Sequence, residues 1–303
     1  MAPLLQSSLL MGAALALDRL LGEPQRWHPL TGFGQWALAL EHRLYAQSRL
    51  HGVLALGLAL APCVALAWYL SRLPPPWNLL FLLWSLYFAL GLQSLHDHVH
   101  PIGQALDRGD RVGARRAAAR IVSRDAEVLD VLPATCESVL ENGNDGVLAA
   151  LFWFMVAGAP GVIGYRLVNT LDAMWGYKSP RYLAFGWGAA RLDDLLGWIP
   201  ARLTALTYSL MGQAAHGLVC WQRQAHRWDS PNAGPVMAAG AGALNIRLGG
   251  PARYNGIWHR RPRLGCGHLP VRGDIDRCLV LVRHSAWLWT AVTFVIGLMS
   301  QES

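Results

Sequence analysis

The chain has 303 residues, 53% hydrophobic and only 15% charged, with a mean hydropathy of +0.25, which fits neither one large soluble domain nor two ordinary ones. Its formal charge is +7, yet Lys178 is the sole lysine and every other cation is Arg, a composition suited to anionic lipid or phosphorylated substrates and not read as binding nucleic acid. Fourteen Trp residues, several of them at the ends of apolar runs (Trp68, Trp77, Trp198, Trp221, Trp287), point to a membrane interface.

In chain order, the first apolar run covers residues 4–21 and ends at Asp18-Arg19; with no basic residue ahead of it, it is expected to be a retained helix. Runs at 52–73 and 77–95 follow, joined by Pro74-Pro75-Pro76, and a last one covers 279–299. Each is near the length of about twenty residues that a helix needs to cross the hydrocarbon. Two stretches, 147–165 and 200–221, are less certain as spans. Arg26, Arg43 and Arg49 in one loop, and Arg108 to Arg124 in another, place residues 22–50 and 94–146 on the cytoplasmic side. The sequence Gly158-Ala159-Pro160-Gly161 predicts a break in the uncertain stretch, and hence a re-entrant hairpin within 147–172. The expected fold is all-α: a single polytopic membrane domain over 1–303, with four to six hydrophobic helical segments and helical cytoplasmic loops. The five cysteines form no CxxC pair, so neither a disulfide framework nor a zinc knuckle is expected.

The polar loops gather chemistry. Glu137 and Glu141 are four apart and share a helix face, where like charges are unfavourable unless a cation intervenes; a divalent metal is the expected cation. The helix is expected to end in Asn142-Gly143-Asn144-Asp145-Gly146. Asn169, Asp172 and Lys178 form a second cluster that closes with Arg181 and Tyr182. Arg191, Asp193 and Asp194 form a third, in which one Asp can bind metal while the other pairs with Arg191 or Arg202. The segments 230–234 and 248–251 read as turns that present backbone N–H groups to an anion. His96 and His100, at i and i+4, lack a third ligand and read as solvated interface histidines. Phosphate-loop, dinucleotide-fingerprint, HExxH and GxSxG motifs are all missing.

Taken together, Asp18, Gly22-Glu23-Pro24, Trp27-His28-Pro29, Arg124-Asp125, Glu137 to Gly146, Asn169 to Lys178 with Arg181-Tyr182, Phe185 to Asp194, Ile199 to Leu203, Ser230 to Pro235, Ala241 to Leu244 and Leu248 to Pro251 with Tyr254 resemble the CobD/CbiB family of adenosylcobinamide-phosphate synthases. The resemblance implies a ligase of cobalamin (vitamin B12) biosynthesis in the bacterial inner membrane, with its active site on the cytoplasmic face. Its reaction would join (R)-1-aminopropan-2-ol or its O-phosphate to the propionate of adenosylcobyric acid, a corrinoid, with ATP as co-substrate and magnesium as cofactor. Other cobalamin-assembly enzymes are expected partners, alongside membrane lipid. In that reading Glu137, Glu141, Asp145, Asp172 and Lys178 are catalytic candidates, and Glu141, Asp145, Asp193 and Asp194 are metal ligands. Arg124, Arg181, Arg191, Asn169 and Asn232 bind the co-substrate, and an Asp, a Glu or His28 serves as general base. The alternative is a non-catalytic membrane sensor or regulator of the AmpE-like type, which would have no need to keep these charged residues together.

Overall fold

The computed structural model describes residues 3–24, 28–122, 124–254 and 256–302; Arg26 and Trp27, both used in the sequence reading, lie outside them. The helices are α1 (Pro3–Leu21), α2 (Pro29–Leu44), α3 (Arg49–Leu70), α4 (Trp77–Ala89), α5 (Leu92–Asp107), α6 (Arg111–Ala118), α7 (Val131–Gly143), α8 (Ala149–Trp175), α9 (Tyr182–Phe185), α10 (Trp187–Met211), α11 (Ala214–Gln224), α12 (Ala233–Leu244) and α13 (Arg272–Glu302). Between α12 and α13 lie β1 (Arg247–Gly249), β2 (Ala252–Tyr254), β3 (Ile257–His259) and β4 (Arg263–Gly265). They form two antiparallel ribbons, β1 with β4 and β2 with β3. The fold is therefore helical, with these ribbons as the addition that no alternating pattern announced.

Among the described residues, five helical segments are long and apolar enough to cross a membrane: Leu4–Leu21, Arg49–Leu70, Trp77–Asp107, Val131–Trp175 and Arg272–Gln301. The chain is a multi-pass membrane protein, within the expected four to six segments. The 200–221 stretch is not among them. Its helix stops at Met211, and the chain turns at Gly212, where a Cβ would lie 2.6 Å from the Ala243 carbonyl oxygen.

The chain gathers into two compact units, each assembled from non-contiguous segments. The first comprises 1–91, 149–197 and 289–303; its core packs Trp175, Phe185 and Leu171 against the small residues Ala37, Ala55 and Ala59. Close approach is built in at Gly52, whose added Cβ would fall 1.8 Å from the Phe185 carbonyl oxygen. The second comprises 92–148 and 198–288, and is centred on α12, in which all twelve residues are buried. Gly234 and Gly242 let that helix touch backbone directly, at the Ala225 and His216 carbonyl oxygens.

Two local features bear on the site. The helix expected to end at 142–146 does not end there. After α7 it widens into a π-helical turn, Asn144–Leu148, and continues as α8. Tertiary partners override the Asn-Gly signal: the Thr204 hydroxyl donates to Asn144 Oδ1 at 2.8 Å, and Gly143 leaves space for Val282 and the Tyr208 hydroxyl. Such turns recur at functional sites.

The second feature is the predicted break, found at Gly158 with φ 61° and ψ −144°. A continuous helix would separate residues 153 and 161 by about 12 Å of rise, whereas a Cβ at Gly161 would lie 2.4 Å from the Trp153 carbonyl oxygen. The chain thus turns sharply back, as a re-entrant hairpin requires. The Gly158 backbone conformation is essentially reserved for glycine, so Gly158→Ala is expected to destabilise the protein by about 1–3 kcal/mol. A thermal unfolding scan in detergent checks this. An unchanged midpoint would mean that the break is not held in this geometry.

Candidate functional site

In the second unit, α7 presents Glu137 and Glu141 one turn apart. Glu137 is 2% exposed and densely bonded. Arg124 donates to its Oε2, Arg261 Nη1 donates to the same oxygen at 2.9 Å, and the Gly249 N–H donates to Oε1 at 2.9 Å. Two guanidinium groups thus neutralise Glu137, and both also act electrostatically on Glu141. Removing one member of a buried ion pair costs about 3–5 kcal/mol, and Glu137→Gln is expected to show a loss of that order in equilibrium unfolding. A stability within error of the parent would show that the arginines do not depend on Glu137.

Glu141 stands in contrast. It is only half-buried, feels the charges of Glu137, Arg124 and Arg261, and has no hydrogen-bond partner for its carboxylate among the described residues. Asp145, in the π turn, accepts from the Asn144 amide at 2.7 Å. Asp125 is held by Arg253 Nε at 2.6 Å and by the Gly256 N–H at 2.9 Å.

Beside Glu137 opens a cavity of about 510 Å³ whose lining includes five arginines (Arg124, Arg247, Arg253, Arg261, Arg263), two carboxylates (Asp125, Asp130), the Gly249-Gly250 turn and Trp258. Both glycines have positive φ, 77° and 85°. At Gly249 a Cβ would strike the Pro262 carbonyl oxygen at 2.1 Å, so the turn that aims its N–H at Glu137 needs glycine.

In the first unit, residues from three segments converge. Arg166 Nη1 donates to Asn169 Oδ1 at 3.4 Å, and Asn169 Nδ2 donates to Asp193 Oδ1 at 3.3 Å. Asp172 is half-buried, feels the charges of both Asp193 and Asp194, and lies over Gly176, where a Cβ would meet its Oδ1 at 1.9 Å. Burial raises the Asp193 carboxyl above the ordinary carboxylate range, opposed by the Asn169 hydrogen bond. Burial likewise raises Asp194, opposed by Arg191 and Lys178. Lys178 and Arg191 are themselves exposed.

His28 caps α2 by accepting the Leu30 N–H on Nδ1 at 3.3 Å, with Nε2 lying 3.6 Å from Glu23. Burial lowers its pKa; Glu23 opposes that shift and Arg166 adds to it, and Nδ1 is already used as an acceptor.

Other predicted binding residues have structural partners. Arg181 donates to Glu41 Oε1 at 2.7 Å; the buried Glu41 also accepts from Trp175 Nε1 and the Tyr182 hydroxyl, and the guanidinium lies 4.2 Å from the Tyr45 ring centroid. Asn232, read as part of an anion-binding turn, is the buried N-cap of α12, and its Oδ1 accepts from Arg202 at 2.9 Å. That bond also gives Arg202 a partner other than the aspartates expected for it. His96 and His100 stack at 5.7 Å.

The family profile described as CobD/Cbib protein matches residues 11–282. Chains named cobalamin biosynthesis protein CobD are similar over nearly the whole length. That of Chromobacterium violaceum is 53% identical over 307 residues, covering 97% of this chain and 98% of its own. That of Stutzerimonas stutzeri is 55% identical over 292 residues (94% and 96%), and that of Mycobacterium tuberculosis is 42% identical over 276 residues (88% of each). The chain belongs to the CobD/CbiB family. No solved structure matches it.

Within this CobD/CbiB chain, sequence reasoning missed Arg261 and Glu41. Arg261 lies in an Arg-rich tract, Arg260 to Arg263, with no motif of its own, and its partner Glu137 is 124 residues away. Glu41 sits on a mixed helix and looks solvated until Trp175, Arg181 and Tyr182 close over it. Arg166 also escaped notice, although its i+3 spacing to Asn169 was a usable signal.

Proposed function

We propose that this protein is the ligase that attaches (R)-1-aminopropan-2-ol, or its O-phosphate, to the propionate of adenosylcobyric acid at the expense of ATP. It would work in the bacterial inner membrane with its site open to the cytoplasm, where ATP is available. One observation carries the reading: in a family whose relatives are named for cobalamin biosynthesis, charged residues scattered between 124 and 261 gather around Glu137, and others from 166 to 194 gather around Asp193. A sensor has no use for such charge concentrations.

A carboxylate is a poor acyl donor until an oxygen becomes a leaving group. In the proposed reaction a propionate oxygen attacks the γ-phosphorus of ATP and ADP departs. The amine then attacks the acyl carbon and inorganic phosphate leaves with that oxygen. The amine arrives as an ammonium and must lose protons before and after attack, so a base is required. Glu141 fits this role because its carboxylate is partly accessible and not committed to a hydrogen bond, while Arg124 and Arg261 keep a positive field near it. Glu137, buried and fully bonded, acts as a positioning residue for those two arginines. Lys178 and Arg191, exposed beside Asp194, are suited to hold the phosphate of an O-phosphorylated amine.

Among the described residues no three His, Cys, Asp or Glu side chains gather into a metal cage. Magnesium carried in with substrate phosphates needs only one or two protein carboxylates, and Asp193 and Asp194, with Asp172 close enough to feel both, fit that demand. When bound there, it would neutralise phosphate charge.

The test is to start from adenosylcobyric acid labelled with ¹⁸O in the propionate carboxylate and follow the released phosphate by mass spectrometry. One labelled oxygen per phosphate is expected. Phosphate without label, alongside amide product, would contradict acyl activation by phosphoryl transfer.

A further inference from the structure

The arginine-lined cavity in the second unit has a feature that the reaction above does not use. In the β1–β4 ribbon Leu248 pairs with Leu264, and both side chains are buried; Gly249 pairs with Arg263 and Arg247 with Gly265. Alternation along a strand therefore sends Arg247 and Arg263 to the opposite, exposed face, where they are diagonal neighbours with only glycine across from each. Of the cavity's other arginines, Arg124 and Arg261 are bound to Glu137, and Arg253 is bound to Asp125 and Glu127. The side chains of Arg247 and Arg263 have no ion-pair or hydrogen-bond partner among the described residues.

Two unneutralised guanidiniums side by side repel each other unless an anion bridges them, and guanidinium is the side chain best matched to phosphate oxygens. Trp258, 59% exposed on the same cavity wall, offers an indole face on which a purine can stack. A volume of about 510 Å³ lies within the range of small-ligand sites.

We propose that this cavity is the nucleotide site, with Arg247 and Arg263 gripping the polyphosphate chain of a nucleoside triphosphate and Trp258 stacking on its base. The choice of nucleotide rests on the ligase reading; the polyphosphate chemistry rests on the cavity alone.

The full chain in nanodiscs of zwitterionic lipid should be titrated calorimetrically with ATP, inorganic tripolyphosphate and adenosine. ATP and tripolyphosphate are expected to compete, with adenosine binding far more weakly. The double variant Arg247→Gln/Arg263→Gln should lose ATP affinity by about tenfold or more, as expected for removing charged hydrogen bonds. The double Lys variant should recover part of that loss. Trp258→Leu should weaken ATP but leave tripolyphosphate unchanged. All three side chains are exposed, so thermal unfolding of the variants should match the parent. ATP affinity unchanged in the Gln variant would overturn the assignment. So would displacement of ATP by phosphatidylglycerol in the disc, which would assign the arginines to lipid headgroups. If ATP binds as described but no amide forms, the proposed reaction fails and the cavity assignment stands. If the Gln variant makes amide at an unchanged KM for ATP, the cavity assignment alone fails.

Discussion

Replacing Glu141 with Gln is expected to slow amide formation by about 10²- to 10⁴-fold, the range lost when a general base is removed, while leaving the unfolding midpoint close to that of the parent. Glu141 is partly exposed and has no hydrogen-bond partner among the described residues. The substitution therefore removes a proton acceptor without breaking a bonded network. Glu137→Gln, four residues earlier, is expected to lower the unfolding midpoint as well, because Glu137 joins Arg124, Arg261 and the Gly249 N–H. The pair of variants separates a chemical role from a positioning one. If Glu141→Gln retains full activity at saturating amine, the base lies elsewhere; His28, which caps α2, is a poor substitute, since its Nδ1 is already an acceptor.

A second large effect is expected from Asp194→Asn combined with Asp193→Asn. With both carboxylates neutral the first-unit cluster keeps only Asp172, so the magnesium concentration for half-maximal rate should rise and kcat should fall by about 10²-fold or more, as when a charge-stabilising group is lost from a phosphoryl site. The single variant Asn169→Ala tests the supporting shell. It removes the amide that fixes Asp193 Oδ1, and should weaken metal dependence by about tenfold to a hundredfold without abolishing turnover. Rates measured against a magnesium titration distinguish these outcomes. An unchanged magnesium dependence in the double variant would remove these residues from the metal site.

Most of the membrane fold was legible in the sequence because hydropathy and length report directly on spans: the runs at 4–21, 77–95 and 279–299 lie in segments that can cross a membrane, and that at 52–73 overruns its segment, Arg49–Leu70, by three residues. Gly158 was legible for a different reason. A Gly-Ala-Pro-Gly sequence leaves few backbone conformations that continue a helix, and the chain turns there.

The Asn-Gly-Asn-Asp-Gly segment misled, since its local preference for a helix end is overruled by Thr204 and Tyr208, which are distant in sequence. Polar pairing was the least legible layer. That Glu137 and Glu141 needed a cation followed from their spacing. That Arg124 and Arg261 pair with Glu137 did not, because nothing local marks one arginine among 25 as the partner of a given carboxylate. The same holds for Arg181, whose place beside Lys178 suggested phosphate but whose side chain closes over the buried Glu41.

The ligase assignment is tested most directly by incubating the purified protein, folded in lipid nanodiscs, with adenosylcobyric acid, aminopropanol or its phosphate, ATP and magnesium, and resolving the corrinoids by mass spectrometry. The expected result is adenosylcobinamide or its phosphate, formed only when ATP is present and lost in Glu141→Gln. Folded protein that yields no amide with either amine would contradict the assignment.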